Sequence, residues 1–351
     1  MRAGQRFPPH VWAAFEKTFA EDTQAALDPR HSDERFRCGY GMGMYWETIS
    51  RWIPQRAMRD ARALGVPVVF LQAADECNTI DRAAAARLLN VPNPHNTGHI
   101  HGVLPGHVGM WVRFLAKYNG TLGLVQEQRG KIVDFLFHEF DAQRYRRTAP
   151  GEIFKPRYMP EGLWLQLDGF ERSPIAADLL PYLQGDPEAE AAEDAGPGPS
   201  LPLWRQRQRE QRARGLFLLR PMDVEFPWRS GATHQVKRTG FTVSHAAYLT
   251  ATASQGQTLR AGVTIDCARL PPQGRQGTSD SEWWLNLYVM FSRATQMSDM
   301  LLLRPPPRQL LEAGPPASVR RALQRFEEKR QASVAAATAL AAAWEIDLPP
   351  E

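Results

Sequence analysis

Apolar and polar positions along this chain follow two periods, and the switches between them outline its organisation. Residues 10–27 are patterned for a helix. A second helix is expected over QRAMRDARAL, with Pro54 in its first turn and Gly65 just past its end. VPVVFLQA (66–73) is short and apolar, as a buried strand requires, and Asp81 stands where it could cap the helix RAAAARLL. From 108 to 228 the texture is β: VGMWVRFLA, KIVDFLFHE, GLWLQLDGF and LFLLRPMDVEFPW are separated by NG, RG and Pro-rich turns. After Gly240 the alternation returns. A helix is expected near 244–253, a strand at VTIDC (263–267), a helix over 281–294, a strand over 299–305 and an alanine-rich helix over 317–344. β–α alternation that is interrupted and then resumed predicts an α/β fold: a parallel sheet broken by a small β domain, followed by a helical tail.

Composition narrows the class. The chain has 351 residues, 43% of them apolar and 23% charged, so it has material for a sizeable core. Three cysteines (Cys38, Cys77, Cys267), far apart and without a CxxC, argue against a disulfide scaffold or structural zinc and for a reducing compartment. No apolar run reaches the roughly 18 residues of a membrane span, and the first residues hold no signal-peptide core. An intracellular protein that is neither secreted nor membrane-bound is expected. The net charge of +4 makes no global case for nucleic-acid binding. Locally, DPEAEAAED (186–194) is acidic, and RQRQREQRAR (205–214) carries five arginines. The first is expected to be part of a flexible loop or disordered insert; the second could touch phosphate backbones or balance the acidic stretch as a solvated face.

Most candidate chemistry dissolves on inspection. A phosphate loop, GxxxxGK[ST], is not present: Gly130–Lys131 has Val125 at the first glycine position and Ile132 after the lysine. GYGMGMYW (39–46) puts Trp46 where GxGxxG needs glycine and reads as an ordinary turn. Asp75 and Glu76 imitate a magnesium-binding strand end, but without a phosphate loop upstream a strand running into a polar loop is expected. His95, His99, His101 and His107 fall in a Pro/Gly-broken loop with no acid or cysteine to complete a ligand set, so no metal site is expected. Cys267, within an apolar strand, reads as core.

The segment 236–304 differs. Two small-polar clusters, Thr250, Thr252, Ser254, Gln255, Gly256, Gln257, Thr258 and then Ser292–Arg293–Ala294, each sit where a helix and a strand are expected to meet. Hydroxyls, an amide and a glycine at a turn can hold phosphate oxygens without a charge. Thr250, Ser254, Gln255, Gly256, Thr258 and Leu259 match a motif that reads T-x-H-K-S-Q-G-x-T-L. Tyr288, Val289, Ser292, Arg293 and Ala294 match one that reads Y-V-A-L-S-R-A. These are motifs V and VI of superfamily-one DNA helicases, and the chain resembles the C-terminal, second-motor-lobe portion of the RecD/Pif-type branch. LPGHVGMWVRFLAKYNGTLGLVQEQRGKIVDF (104–135) resembles the segment that opens a small β-barrel in that lobe, and VKRTGFTVSHAAYLT resembles the return from it.

The resemblance implies a RecA-like parallel-sheet lobe interrupted by a small β-barrel insert, with a C-terminal helical tail. Its parts would be 1–103 (first part of the lobe, with N-terminal helices), 104–235 (barrel, containing the charged loop 184–214), 236–308 (return, with both motifs) and 309–351 (tail). It implies ATP between two lobes, of which this chain supplies one. Arg293 would be the arginine finger, a role worth about 10³–10⁵-fold in rate. Gln255 and Gly256 would face the γ-phosphate, and Thr250, Thr252 and Ser254 would touch the backbone of single-stranded DNA, with Lys237 and Arg238 as further nucleic-acid contacts. The sequence departs from the family at Thr252–Ala253, where motif V has His-Lys. With no phosphate loop, Walker B acid or first-lobe glutamine placed, ATP and Mg²⁺ are expected only with a first lobe supplied in cis or in trans, none bound by this chain alone. The alternative is a degenerate, non-catalytic module for single-stranded nucleic acid or a protein partner. An α/β enzyme with an unrecognised site is the third reading.

Overall fold

The computed structural model describes residues 8–19, 33–77, 82–118, 124–168, 216–228, 235–269 and 279–343. Helix positions 20–27, Asp81, the NG turn at 119–120, the acidic stretch 186–194, the arginine block 205–214 and residues 344–351 lie outside them.

In chain order the elements begin with α1 (Pro9–Glu16), α2 (Glu34–Arg37), β1 (Tyr40–Gly43), α3 (Trp46–Leu64), β2 (Val68–Gln72), β3 (Ala74–Glu76) and α4 (Arg82–Leu89). A stretch richer in strands follows: β4 (Val103–Gly106), β5 (Trp111–Phe114), β6 (Arg129–Leu136), α5 (Glu139–Arg146), β7 (Ile153–Phe154), β8 (Gly162–Leu167), β9 (Phe217–Leu219), β10 (Met222–Pro227), β11 (Gln235–Gly240), β12 (Val243–His245) and β13 (Tyr248–Thr250). The last are β14 (Val263–Asp266), α6 (Asp280–Phe291), β15 (Met300–Leu303), α7 (Arg308–Glu312) and α8 (Ala317–Ala343). They divide into two compact units, 1–44 with 250–351, and 45–249. The divisions fall at 44/45 and 249/250, away from the expected boundaries at 103/104 and 235/236.

The first unit is built on the neighbouring strands β1, β14 and β15, which run parallel, Tyr40 opposite Val263 and Val263 opposite Met300. The GYGMGMYW stretch is therefore a sheet strand and not an ordinary turn. Glycine is required at its entrance, because a Cβ on Gly39 would lie 1.9 Å from the Gly262 carbonyl oxygen. Helix α6 starts where Ser279 Oγ accepts from the Glu282 N–H at 3.1 Å, in the S-x-x-E arrangement of a capping box. It buries Trp283, Trp284, Leu287 and Met290, and the Trp283 indole N–H donates to the Cys267 carbonyl at 3.3 Å.

The second unit carries a five-stranded antiparallel sheet of order β12-β5-β6-β8-β9, with β12 and β9 at its two ends. Val112, Phe114, Ile132, Leu163, Leu165, Phe217 and Val243 from these strands share one apolar core with Ala57 and Ala61 of α3. Two three-stranded sheets, β10-β11-β3 and β4-β2-β7, complete it. Residues 50–103 thus belong here and not to the parallel sheet.

Four expectations are corrected. Helix α3 begins eight residues before Pro54, which lies inside it; the face Ile49, Ile53, Ala57, Ala61 is fully buried and holds the helix despite the missing hydrogen bond. Residues 244–253 form β12, β13 and a turn, not a helix. Asp75 and Glu76 lie on β3, paired with β11, not in a loop. Within the β-textured region, the capped segment Glu139–Arg146 is helical.

Candidate functional site

The site is assembled in the first unit by two short segments. After β13 the chain turns tightly, because small hydroxyl residues bond their own backbone and so compete with helix. Thr250 Oγ1 accepts from the Ala253 N–H at 3.2 Å, Ser254 N–H donates to the Thr250 carbonyl at 3.1 Å, and Ser254 Oγ donates to the Ala251 carbonyl at 2.8 Å. Gly256 closes the turn at φ +76°, and no heavy atom lies within 4 Å of where its Cβ would stand.

Arg293 follows the C-cap of α6. Its Nε donates to the Val289 carbonyl at 3.0 Å, which satisfies a carbonyl of the helix's last turn. Its Nη1 reaches the turn, donating to the carbonyls of Gln257 at 3.0 Å and Ser254 at 3.5 Å, while Nη2 donates to Ser292 Oγ at 2.9 Å. The backbones meet as well: Leu259 N–H donates to the Arg293 carbonyl at 2.9 Å, and Leu259 and Ala294 form a parallel bridge. The two clusters picked out by sequence are one structural feature, at the entrances to β14 and β15.

Thr252, Gln255, Gly256 and Thr258 are exposed, and Arg293 is half-buried. An open glycine backbone, an exposed amide and a guanidinium beside them suit an anionic oxygen such as a phosphate's. Ser254 and Thr250 are buried, and their hydroxyls are committed to the turn. They shape the loop, which corrects the expectation that their side chains touch a DNA backbone.

Lys237 and Arg238 belong to the second unit. Lys237 is half-buried and pairs with Asp223 at 2.9 Å, which raises its pKa. Arg238 is fully buried: Nε and Nη2 bind the two oxygens of Asp75 at 2.6 and 2.7 Å, Nη2 also donates to the Leu88 carbonyl, and Nη1 donates to the Ile100 carbonyl. Phosphate contact at Arg238 is thereby corrected, and the signal lies in the strand's period of two. Val236 is buried, so Arg238, two residues on, faces the same way.

A second buried arginine had no such signal. Arg113, on β5, binds Glu127 at 2.5 Å and lies over the Trp46 ring at 5.5 Å, yet its Nε and Nη2 have no partner. Its neighbours in β5, Val112 and Phe114, are both buried, so alternation does not single it out. Nearby His101 is enclosed, its ring 5.5 Å from that of Trp46; burial, assisted by Arg113 and Arg238, pushes its pKa down to about 3. The four loop histidines do not form a ligand set: among the described residues no group of three or more His, Cys, Asp or Glu could hold a metal. Cys267 is buried, and burial pushes its thiol well up. Among the described residues no helix is long and apolar enough to cross a membrane.

No protein-family model matches the chain, and neither does any curated protein. Among solved structures it is similar to the Pif1 helicase from Candida albicans (15% identity, TM-score 0.41, covering 91% of this chain and 58% of that one). It is also similar to Bacteroides Pif1 bound to ssDNA (9% identity, TM-score 0.44, 93% and 55%) and to Bacteroides sp. Pif1 in complex with ADP-AlF4 (10% identity, TM-score 0.38, 92% and 51%). The chain spans a little over half the length of these structures.

Proposed function

We propose that this chain is the second-lobe portion of an ATP-dependent DNA helicase of the RecD/Pif type, which moves on single-stranded DNA when a phosphate-loop lobe completes the nucleotide site. One observation carries the reading. The segments resembling motifs V and VI, 36 residues apart at the Arg293–Gln257 bond, are joined through Arg293 and through the Leu259–Ala294 bridge. A loop that reports on nucleotide and an arginine that stabilises its transition state need this proximity, because the guanidinium can then exchange carbonyl acceptors for phosphate oxygens as the cleft closes. In this reading Gln255, the Gly256 backbone and Arg293 hold the γ-phosphate, and Thr252, at the exposed rim, meets the strand. ATP with Mg²⁺ supplies the phosphoryl group; this chain supplies the finger and the coupling loop.

The chain alone is expected to show no DNA-stimulated ATP hydrolysis, since it contains no GxxxxGK[ST]. Adding a first-lobe polypeptide should restore turnover, and Arg293→Ala should then lower kcat by about 10³-fold or more with the thermal midpoint little changed. Turnover by the purified chain alone that Arg293→Ala abolishes would overturn the division of labour. Restored turnover indifferent to Arg293→Ala would overturn the finger.

The non-catalytic module is the second reading, and it too has an observation in its favour. Arg293 spends all of its hydrogen bonds described here on the chain itself, as a structural clamp would. Salt-dependent single-strand binding, with no turnover under any complementation, would select it.

A further inference from the structure

One surface of the second unit combines exposed rings with unpaired cations, and it shares no residue with the Arg293 site. Asp141 of α5 is fully buried. One of its oxygens accepts from Arg144 Nη1 at 2.7 Å, the other from the backbone N–H groups of Arg157 and Tyr158, both at 2.8 Å. That single carboxylate pins the segment after β7 to the helix and sets the rings upon it. Phe140, 45% exposed, and Tyr158, 48% exposed, stand edge to face with centroids 6.4 Å apart. His138, which caps α5, lies 4.5 Å from the Tyr158 ring. The guanidinium groups of Arg144 and Arg157 lie over Phe140 at 5.7 and 5.4 Å. Arg146, Arg147, Lys155 and Arg157 are exposed, and among the described residues none of the four has an acidic partner.

We infer that this surface is a second platform for single-stranded nucleic acid, one that grips the strand without nucleotide. Unpaired bases present π-faces to rings and guanidinium planes, and their phosphates meet the flanking cations; stacking of this kind is indifferent to sequence. A duplex hides those faces. An acidic peptide would neutralise the cations but leave the rings without planar partners. The platform uses none of the residues of the Arg293 site, so it goes beyond the helicase reading and stands or falls separately.

The test uses the full chain without ATP and a fluorescent oligothymidylate of about 15 nucleotides, read by anisotropy. Phe140→Ala with Tyr158→Ala should weaken binding by about tenfold or more, while Tyr158→Phe keeps it. Arg157→Gln should lower the salt slope by about 1. Ultraviolet cross-linking should attach the strand to Phe140 or Tyr158. Binding of the double variant within twofold of wild type overturns the inference, as does a preference for duplex or for labelled polyglutamate. Should the double variant fail to fold, the Arg157→Gln slope decides alone, and an unchanged slope overturns it. Normal binding by these variants together with Arg293-dependent turnover on complementation sinks the platform and leaves the helicase reading intact; the reverse pattern does the opposite.

Discussion

In two described ion pairs of the first unit the buried member is the acid. Asp266, 4% exposed at the end of β14, meets Arg304, 45% exposed just past β15; Asp299 is likewise buried against the more exposed Arg35. In the second unit Asp141 is buried beside the more exposed Arg144 in the same way, but Arg113 is inaccessible against a partly exposed Glu127, and Arg238 and Asp75 are both enclosed. The contrast follows from position. Strand ends of a parallel sheet open to solvent, so a long arginine can reach in from outside. Arginines in the middle of β5 and β11 are flanked by paired strands and must find acceptors where they are. A basic residue in a strand is therefore no guide to where an anion binds.

The largest expected effect tests whether such burial is load or liability. Arg238→Met leaves the Asp75 carboxylate enclosed without its partner and should destabilise the second unit by about 3–5 kcal/mol. Adding Asp75→Asn should recover part of the loss. Urea denaturation of the single and double variants measures the coupling, and simple additivity would mean that the two side chains act independently.

Acid should separate the units next. Burial holds both His101 and His245 down to about 3, and His245 Nδ1 accepts from the Ala247 N–H, which requires that nitrogen unprotonated. Below the unfolded value near 6.5 the unfolded chain takes up protons that the folded one refuses. The stabilisation is complete above that value and is lost as pH falls from there towards 3. Between pH 7 and 5 each histidine should account for a loss of roughly 2 kcal/mol. The only described histidine of the first unit, His10, is exposed, so its transition should move little. Equal denaturation midpoints at pH 7 and 5 for the second unit would contradict the burial argument, and His245→Asn should flatten part of the slope.

What could be read in the chain follows the same divide. Helix α6, β14 and β15 are legible because an apolar helical segment alternates with short apolar runs there; the Ser279–Glu282 cap appears only in the structure. The Arg293 site is legible as a pair of motifs, but its inner logic is not: Thr250 and Ser254 look like exposed phosphate ligands and instead tie the turn, since a hydroxyl near its own backbone serves either purpose. The start of α3 is hidden by Pro54, whose local cost of about 3 kcal/mol is offset by a fully buried face that only the tertiary structure reveals. The pairing of Asp75 with Arg238 spans 163 residues, a separation at which no local pattern operates.

Arg113 sharpens the comparison further. It is as buried as Arg238 but leaves Nε and Nη2 unpartnered, and Glu127, its acid, is partly exposed, its pKa raised by burial against the pull of Arg113. Removing this cation gives up one strong bond and relieves two unsatisfied donors; Glu127 Oε2 is already buried without a partner, and the side chain stays 29% exposed, unlike the enclosed Asp75. Arg113→Met should therefore cost about 1–2 kcal/mol, well below Arg238→Met. A loss equal to that of Arg238 in the same urea experiment would show that the hydrogen-bond inventory of a buried arginine does not set its worth.

The smallest effect belongs to Gly256 in the loop of the first unit, which fails differently from Gly39 at the entrance to β1. Gly39→Ala would drive a Cβ into the Gly262 carbonyl, a backbone atom that cannot move without parting β1 from β14. Gly256→Ala meets nothing at all; its only penalty is φ +76°, about 1 kcal/mol for an L residue. Stability should thus barely register Gly256→Ala, with a thermal midpoint within a few degrees of wild type. In the proposed nucleotide site, function should register it more, because the freedom of that turn would bring Gln255 and the Gly256 N–H to a phosphate. In the complemented enzyme KM for ATP should rise several-fold while single-strand affinity without nucleotide stays level. A midpoint shift as large as that of Gly39→Ala would place Gly256 among the residues that hold the sheet together, and an unchanged KM would remove the turn from the nucleotide site.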